Sequence, residues 1–367
     1  MRLALGQARR ALGRTFPNPA VGAVVFRGGR VLGRGATRPP GGPHAEIVAL
    51  AQAARRHGAA ALRGASLAVT LEPCAHQGRT GPCTEALVRA GIARVYLGHR
   101  DPVRHGAGGG VRALRRAGVA VREGVLEAAC REQHRGFLSV VERGRPWVTL
   151  KLAASLDGRI ATARGESRWI TGPAARAWVH RLRARSDAIL VGSATALADD
   201  PELSARRAGR VVRRPLRVLV DSRLRVPPRA RLFREHAERT WVLCSAAAPA
   251  RRRRALEACG ARVLALRPGR AGRPSLHAAL ARLGAEGIGT LLVEGGGVLA
   301  AALLRAGLAD DLAWLLAPRL LGAEGRPALG PLGVARLAAA PRLGDARVRR
   351  IGPDLLVEAR IGPEEAR

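Results

Sequence analysis

The chain has 367 residues, 47% of them hydrophobic, which is material for two cores and two domains. No uninterrupted apolar run reaches the ~18 residues that mark a membrane span, and five sparse cysteines fit a reducing compartment better than a disulfide framework. A net charge of +35 raises a nucleic-acid reading, but the basic residues are spread along the chain and aromatics are only 3%, too few for base-stacking platforms.

Leu3 to Leu12 reads as an amphipathic helix. The segment from Met1 to Phe26 carries Arg and no acidic residue, the composition of a transit peptide. Pro17-Asn18-Pro19-Ala20-Val21-Gly22 nevertheless runs directly into strand-like Ala23 to Phe26, so the domain is expected to have begun. Val21 to Phe26 and Arg30 to Gly35 flank Arg27-Gly28-Gly29, a hairpin signal. Helix is expected from His44 to His57, strand from Ser66 to Leu71, helix from Thr84 to Ala90 and strand from Arg94 to Gly98. A helix over Val111 to Ala117 and a short strand over Val119 to Arg122 follow, and the alternation predicts a layered α/β domain.

The chemistry of this half lies in His44-Ala45-Glu46, Glu72-Pro73-Cys74 and Gly81-Pro82-Cys83. Together they offer one imidazole, two thiols and a spare carboxylate, the parts of a hydrolytic zinc site that deaminates nucleobase-like amines. Three ligands, His44, Cys74 and Cys83, leave a fourth tetrahedral position for water, whose pKa the metal lowers. Glu46 is not needed as a ligand and can move the water proton to the ring nitrogen and on to the leaving amine. Taken singly, a His at a helix start is more often a cap and a Cys more often a small apolar side chain. The joint pattern, at a helix start and after a strand, outweighs those readings. A structural zinc site is the competing view, with His76 the nearest fourth ligand.

Glu142 to Pro146 reads as a linker, dividing the chain into residues 1–143 and 144–367. Beyond it, strands are expected at Trp147–Leu150, Ala188–Val191, Leu216–Val220, Thr240–Cys244, Arg262–Leu266, Thr290–Val293 and Leu312–Ala317. Helices are expected at Ser275–Leu283 and Val298–Ala306, while Ala246 to Ala255 suggests a surface helix or loop. Strand, glycines and helix follow one another in LLVEGGGVL, Leu291 to Leu299, an arrangement that lets backbone N–H groups approach a phosphate. Polar stretches KLAASLDG (151–158), GESRWIT (165–171) and GSATALADDP (192–201) read as loops after buried strands, facing one nucleotide-cofactor cleft. Lys151 is the only lysine of the chain. Arg serves at every other basic position, so Lys151 is expected where a compact, deprotonatable ammonium is required.

In order along nearly the whole chain, TFPNPAVG (15–22), PHAE (43–46), LEPCAHQGRTGPC (71–83), KLAASLDGRIA, GESRWIT, HRLRARSDAILVGSATALADDPELSAR, VDSRLRVP and VEGGG resemble the bifunctional riboflavin-biosynthesis deaminase–reductase family. The eight residues between the cysteines separate it from short-spaced tRNA and cytidine deaminases. The resemblance implies an α/β protein of two domains. These are an N-terminal cytidine-deaminase-like three-layer α/β domain and a C-terminal dihydrofolate-reductase-like α/β domain. It implies Zn²⁺ and NADPH as cofactors and 2,5-diamino-6-ribosylamino-4(3H)-pyrimidinone 5′-phosphate as substrate. That substrate would be deaminated and then reduced from ribosyl to ribityl.

By the same resemblance, His44, Cys74 and Cys83 bind zinc, Glu46 shuttles the proton, and Asn18, His76 and Arg79 hold the pyrimidine or its phosphate arm. NADPH would touch Ala153, Trp169, Thr195, Asp199, Ser222, Gly296, Gly297, Val298, Leu299, Ala300, Ala301 and Ala302. The second substrate would touch Ser167, Arg183, Leu203, Arg206 and Glu294. Lys151, singled out by composition and not by the resemblance, is expected to be catalytic. Arg183 and Arg206 suit a phosphate, being forked and permanently charged. Thr37 stands where the family usually has His, Val103 where Asn is usual, and His134 replaces an Asn. The expectation is a cytoplasmic homo-oligomer acting on a small phosphorylated pyrimidine, without nucleic-acid or membrane partners. The alternative is a basic nucleic-acid-binding base deaminase with an accessory domain.

Overall fold

The computed structural model describes residues 1–77, 81–103, 109–269 and 272–362. It divides into two compact units, Met1–Arg145 with Gly284–Gly289, and Pro146–Leu283 with Thr290–Arg367.

The first unit runs α1 (Arg2–Ala11), β1 (Gly22–Arg27), β2 (Arg30–Ala36), α2 (Ala45–His57), β3 (Ser66–Leu71), α3 (Cys83–Arg89), β4 (Arg94–His99), α4 (Gly109–Arg116), β5 (Ala120–Arg122), α5 (Glu127–Gln133) and α6 (Arg135–Arg143). Its sheet has the order β2-β1-β3-β4-β5. β1 is antiparallel to β2 and β3, and β3, β4 and β5 run parallel. Gly28 and Gly29, at φ 52° and 80°, make the hairpin turn, where a side chain would be strained.

Helices cover both faces, and small residues set how closely. A Cβ on Gly35 would stand 2.0 Å from the Ala45 carbonyl oxygen, and one on Gly22 2.0 Å from that of Ala4. Gly22 pairs with Ala36 and Ala23 with Gly35, so these two glycines point to opposite faces. One face therefore carries α1 and the other α2, giving three layers. The core on the α2 side is built from Ala23, Val25, Ala49, Ala53, Leu67, Val69, Leu97 and their neighbours, all buried.

The second unit runs β6 (Trp147–Ser155), β7 (Arg159–Ala161), α7 (Pro173–Arg185), β8 (Ala188–Gly192), α8 (Ser193–Asp199), β9 (Ala205–Arg207), β10 (Arg210–Arg213), β11 (Leu216–Val220), α9 (Arg231–Arg234), β12 (Thr240–Ser245), α10 (Ala250–Ala258), β13 (Arg262–Leu266), α11 (Leu276–Ala285), β14 (Thr290–Glu294), α12 (Gly297–Arg305), β15 (Asp311–Ala317), β16 (Arg326–Pro327), β17 (Leu343–Ile351) and β18 (Asp354–Ile361). Among the described residues nine strands form one sheet, ordered β13-β12-β11-β8-β14-β6-β15-β18-β17. From β13 to β15 all neighbours are parallel, and β18 is antiparallel to both β15 and β17. Ala175, Trp178 and Val179 of α7 pack on Ala313, Leu315 and Leu356, while Ile189, Val191, Leu219, Val242 and Leu292 belong to a separate buried cluster.

Two expected loops are regular structure. β6 continues through Lys151 and Ala153 to Ser155, because each residue from Thr149 to Ser155 pairs with β15. Ser193 to Asp199 is helix α8 rather than a loop. Sequence patterns also leave α7 and the β17–β18 hairpin unassigned. No described helix is long and apolar enough to cross a membrane.

Candidate functional site

In the first unit, His44 is the N-cap of α2, Cys83 opens α3, and Cys74 lies three residues beyond β3. The close approach of Gly35 to Ala45 brings the start of α2 onto the sheet. Gly110 does the same for the cysteine loop, since a Cβ there would stand 2.0 Å from the Pro73 carbonyl oxygen. His44 Nδ1 lies 3.3 Å from Cys83 Sγ and 3.6 Å from Cys74 Sγ. The three donor atoms all fall within 4.8 Å of one another. Bonds of about 2.0 Å to nitrogen and 2.3 Å to sulfur at tetrahedral angles separate N and S by about 3.5 Å, so the spacing fits zinc. His76 is exposed and stands outside this group, which removes it as the fourth ligand of a structural site.

The backbone N–H of Cys83 donates to Cys74 Sγ at 3.4 Å, and the N–H of Thr84 donates to the Cys74 carbonyl at 3.2 Å. The Cys74 thiol is pulled down to about 4, chiefly by the hydrogen bond it shares with Cys83 and then by His44, against the effect of burial. Cys83, the donor of that pair, is pushed up. His44 is raised by its hydrogen bond to Cys74. Burial pushes the Glu46 carboxyl up to about 7. Glu46, in the first turn of α2, is 3% exposed and so sits shielded from bulk water beside the metal ligands. A carboxyl in this range is suited to take and return a proton near neutral pH.

Glu72 belongs to the Glu72-Pro73-Cys74 motif, but its role is not readable from the sequence. It is buried, and its two oxygens accept the N–H groups of Asp101 at 3.1 Å and Val111 at 2.9 Å, which anchors the cysteine loop to two other segments. Asn18 is exposed in the turn before β1, and Arg79 lies outside the described residues. The structure places Thr37, Val103 and His134 as follows. The Thr37 hydroxyl accepts the Val21 N–H at 3.1 Å, the Val103 N–H donates to Asp101 Oδ1 at 3.0 Å, and His134 is buried against His99.

In the second unit the candidate residues gather where parallel strands end. Gly192 closes β8, Ser222 follows β11, and Glu294 closes β14 beside Lys151 of β6, its partner in register. Ligands of open α/β sheets bind outside such carboxyl ends. Gly295 and Gly296 adopt φ 81° and 83°, and a Cβ on Gly295 would lie 2.9 Å from Thr195 Cγ2. The turn before α12 thus sits against the first turn of α8, and the backbone N–H groups of Gly297, Val298 and Leu299 open α12 as a phosphate site would require. Ala300 and Ala301 are buried farther along that helix with Ala302 partly buried. Arg168 donates to the Asp199 carbonyl at 2.9 Å, which joins the loop carrying Ser167 and Trp169 to α8. Trp169 is 62% exposed, with the Arg176 guanidinium 4.5 Å from its ring centre.

Arg183 does not offer a free fork. Its Nε and Nη2 donate to the two oxygens of Glu294 at 2.6 and 2.8 Å, and Nη1 donates to the Ser204 carbonyl at 3.0 Å. Burial opposes ionisation of Glu294, but Arg183 outweighs it and holds the carboxyl below its ordinary value. Arg206 is likewise engaged, with Glu202 at 2.5 Å and the Gly209 carbonyl at 3.0 Å. Leu203, between them, is buried. Lys151 is pulled down by burial, against the attraction of Glu294. Thr149, Lys151 and Ala153 alternate with buried residues along β6 and share one face of it.

The chain is similar to known proteins along nearly its whole length. The family model for the cytidine and deoxycytidylate deaminase zinc-binding region matches residues 1–99, and that for the RibD C-terminal domain matches residues 146–357. The riboflavin biosynthesis protein RibD of Escherichia coli is 40% identical, across 97% of this chain and 96% of its own length. That of Mycobacterium tuberculosis is 41% identical, across 97% and 95%. The solved structure of Acinetobacter baumannii RibD superposes with a TM-score of 0.87 at 36% identity, covering 99% of this chain and 98% of that one. A Thermotoga maritima diaminohydroxyphosphoribosylaminopyrimidine deaminase/5-amino-6-(5-phosphoribosylamino)uracil reductase superposes at 0.84 with 34% identity, covering 99% and 97%.

Proposed function

The chain belongs to the RibD family of bifunctional deaminase–reductases of riboflavin biosynthesis, and from that membership we propose how its own residues divide the work. The reading of a nucleic-acid base deaminase gives way, because the second unit matches the reductase domain from 146 to 357. The observation that carries the deaminase assignment is the convergence of His44, Cys74 and Cys83 with a buried Glu46 two residues from the first ligand.

His44, Cys74 and Cys83 would hold zinc, which when bound acidifies water and polarises the site for hydrolysis. Glu46 would accept a proton from water, pass it to the pyrimidine ring nitrogen and then to the departing ammonia. Its burial supports that role. Asn18, His76 and Arg79 would orient the diaminopyrimidine and its phosphate, so that 2,5-diamino-6-ribosylamino-4(3H)-pyrimidinone 5′-phosphate becomes the 5-aminouracil compound.

The reductase domain uses NADPH. The glycine turn, where side chains would collide with Thr195, fits the close backbone approach of a pyrophosphate. Thr195, Asp199, Ser222 and residues 296–302 would bind the cofactor, with Ala153 and Trp169 along it. Ser167, Leu203 and Arg206 would bind the ribosylamino substrate. Arg183 keeps Glu294 ionised and aimed, and Glu294 would accept from the ribosyl hydroxyls. Lys151, whose proton affinity is lowered by burial, would protonate the sugar ring oxygen as the ring opens to the reducible imine. A cytoplasmic homo-oligomer completes the proposal, its assembly to be tested by sedimentation. The decisive assay supplies the diaminopyrimidine phosphate and follows ammonia and NADPH together. One ammonia released before each NADPH oxidised supports the reading, and neither product with zinc bound overturns it.

A further inference from the structure

The first unit holds a second polar cluster that zinc chemistry does not use. Thr70 of β3, His99 at the end of β4 and His134 between α5 and α6 are 0%, 3% and 2% exposed. His99 Nε2 lies 2.8 Å from His134 Nδ1, and His99 Nδ1 lies 2.8 Å from the Arg100 carbonyl oxygen. His134 Nε2 lies 3.3 Å from the Thr70 hydroxyl and 3.2 Å from the Ala20 carbonyl oxygen. The Gly22 N–H donates to that hydroxyl at 3.1 Å.

These contacts fix the protons. Burial pushes both rings down, His134 to about 3, so both are neutral near pH 7, each with one N–H and one lone pair. The short contact to the Arg100 carbonyl needs the proton of His99 on Nδ1. His99 Nε2 must then accept, and His134 must donate to it from Nδ1. That leaves a lone pair on His134 Nε2, which the Thr70 hydroxyl can satisfy although the Ala20 carbonyl oxygen also lies 3.2 Å away; of the two carbonyl contacts the 2.8 Å one at Arg100 is the shorter and decides the order. The reverse order would set the His99 Nδ1 lone pair against the Arg100 carbonyl at 2.8 Å. A single directed chain results, from the Gly22 N–H through Thr70, His134 and His99 to Arg100.

Its two ends matter. Gly22 opens β1, four residues after Asn18, and Arg100 precedes Asp101, whose N–H is held by Glu72 beside the Cys74 loop. We propose that Thr70, His134 and His99 are positioning residues for deamination, a buried proton-ordered chain that ties the segment carrying Asn18 to the Asp101 segment held by Glu72. The proposal rests on the first unit being the deaminase. Absence of ammonia release by the wild-type enzyme would remove that reading and leave the proton order to be judged by itself.

The test uses the full-length zinc-loaded enzyme with ¹⁵N-labelled histidine, His134→Asn identifying the signals. Both His99 and His134 are expected to be neutral with the proton on Nδ1. An imidazolium, or a proton on Nε2 of His134, would overturn the chain. In kinetics, His134→Leu is expected to raise the deamination KM by about tenfold while kcat changes by less than about threefold. Zinc content and NADPH oxidation with already deaminated substrate stay unchanged, and His134→Asn recovers part of the KM because its amide both donates and accepts. An unchanged KM in His134→Leu sinks the positioning role. If that variant fails to fold, Thr70→Val removes only the hydroxyl, and a raised or unchanged KM in that protein supports or sinks the role in the same way.

Discussion

The metal centre of the first unit and the cleft of the second are built on opposite plans. The first brings three donor atoms within 4.8 Å from helix starts and one loop. The second spreads its groups along β6 and the carboxyl ends of β8, β11 and β14, residues far apart in sequence that become neighbours through parallel pairing. In the first, chemistry comes from a ligand set whose members each have one job. In the second, the charged residues are tied to one another, as in the Arg183–Glu294 pair, so positions rather than residue types define the site. A compact ligand set fails all at once when a member is lost, whereas a distributed cleft loses function by degrees.

The largest expected effect tests that contrast. Cys83→Ser should abolish deamination with loss of zinc, because a neutral hydroxyl substitutes poorly for a thiolate. NADPH oxidation with the deaminated substrate should persist, as measured by metal analysis and absorbance on one sample. Loss of both activities in a folded protein would erase the division. Glu46→Gln sharpens it from within the first unit. Zinc should stay bound while ammonia release falls about 10²–10⁴-fold, since the amide keeps the shape and cannot carry the proton.

Lys151→Arg probes the other plan. Charge is kept and reversible protonation is lost, so hydride transfer at saturating NADPH should slow by about 10²-fold, read by stopped flow, with deamination unaffected. A rate within about threefold of wild type would leave the only lysine without a role.

The smallest effect concerns stability. The folded proton affinities of His99 and His134 lie below the ordinary value of 6.5, that of His134 at about 3. Between those values the unfolded chain binds protons that the folded pair refuses. Stability from this pair is therefore complete above about pH 6.5 and is lost as pH falls. The melting midpoint of the first unit should be lower at about pH 5 than at about pH 7, and His134→Asn should flatten that slope. A slope unchanged in the variant would assign the acid sensitivity to other groups.

The alternation of helix and strand in the first unit was legible from apolar patterning, with Ser66–Leu71 a short mostly apolar run that is buried throughout. α7 was missed because arginines interrupt its apolar stripe, which reduces to Ala175, Trp178 and Val179. β17 was missed because it is almost wholly exposed, and pairing with β18 makes it a strand. Lys151 was noticed for its rarity, but its place inside β6 follows from pairing with β14 and β15, which no local pattern announces.

By itself, the sequence determined the donor set of the metal centre and the identity of the family. Ligand chemistry depends on residue types, and His44, Cys74 and Cys83 each occupy an element boundary that can be read locally. Only the tertiary structure decided what those groups face. It placed Glu46 out of water, closed Arg183 on Glu294, and hydrogen-bonded His134 to His99. Each of these is a contact across more than 30 residues or a burial produced by several elements at once. Proton affinity and orientation depend on such surroundings, so they are set when the layers pack.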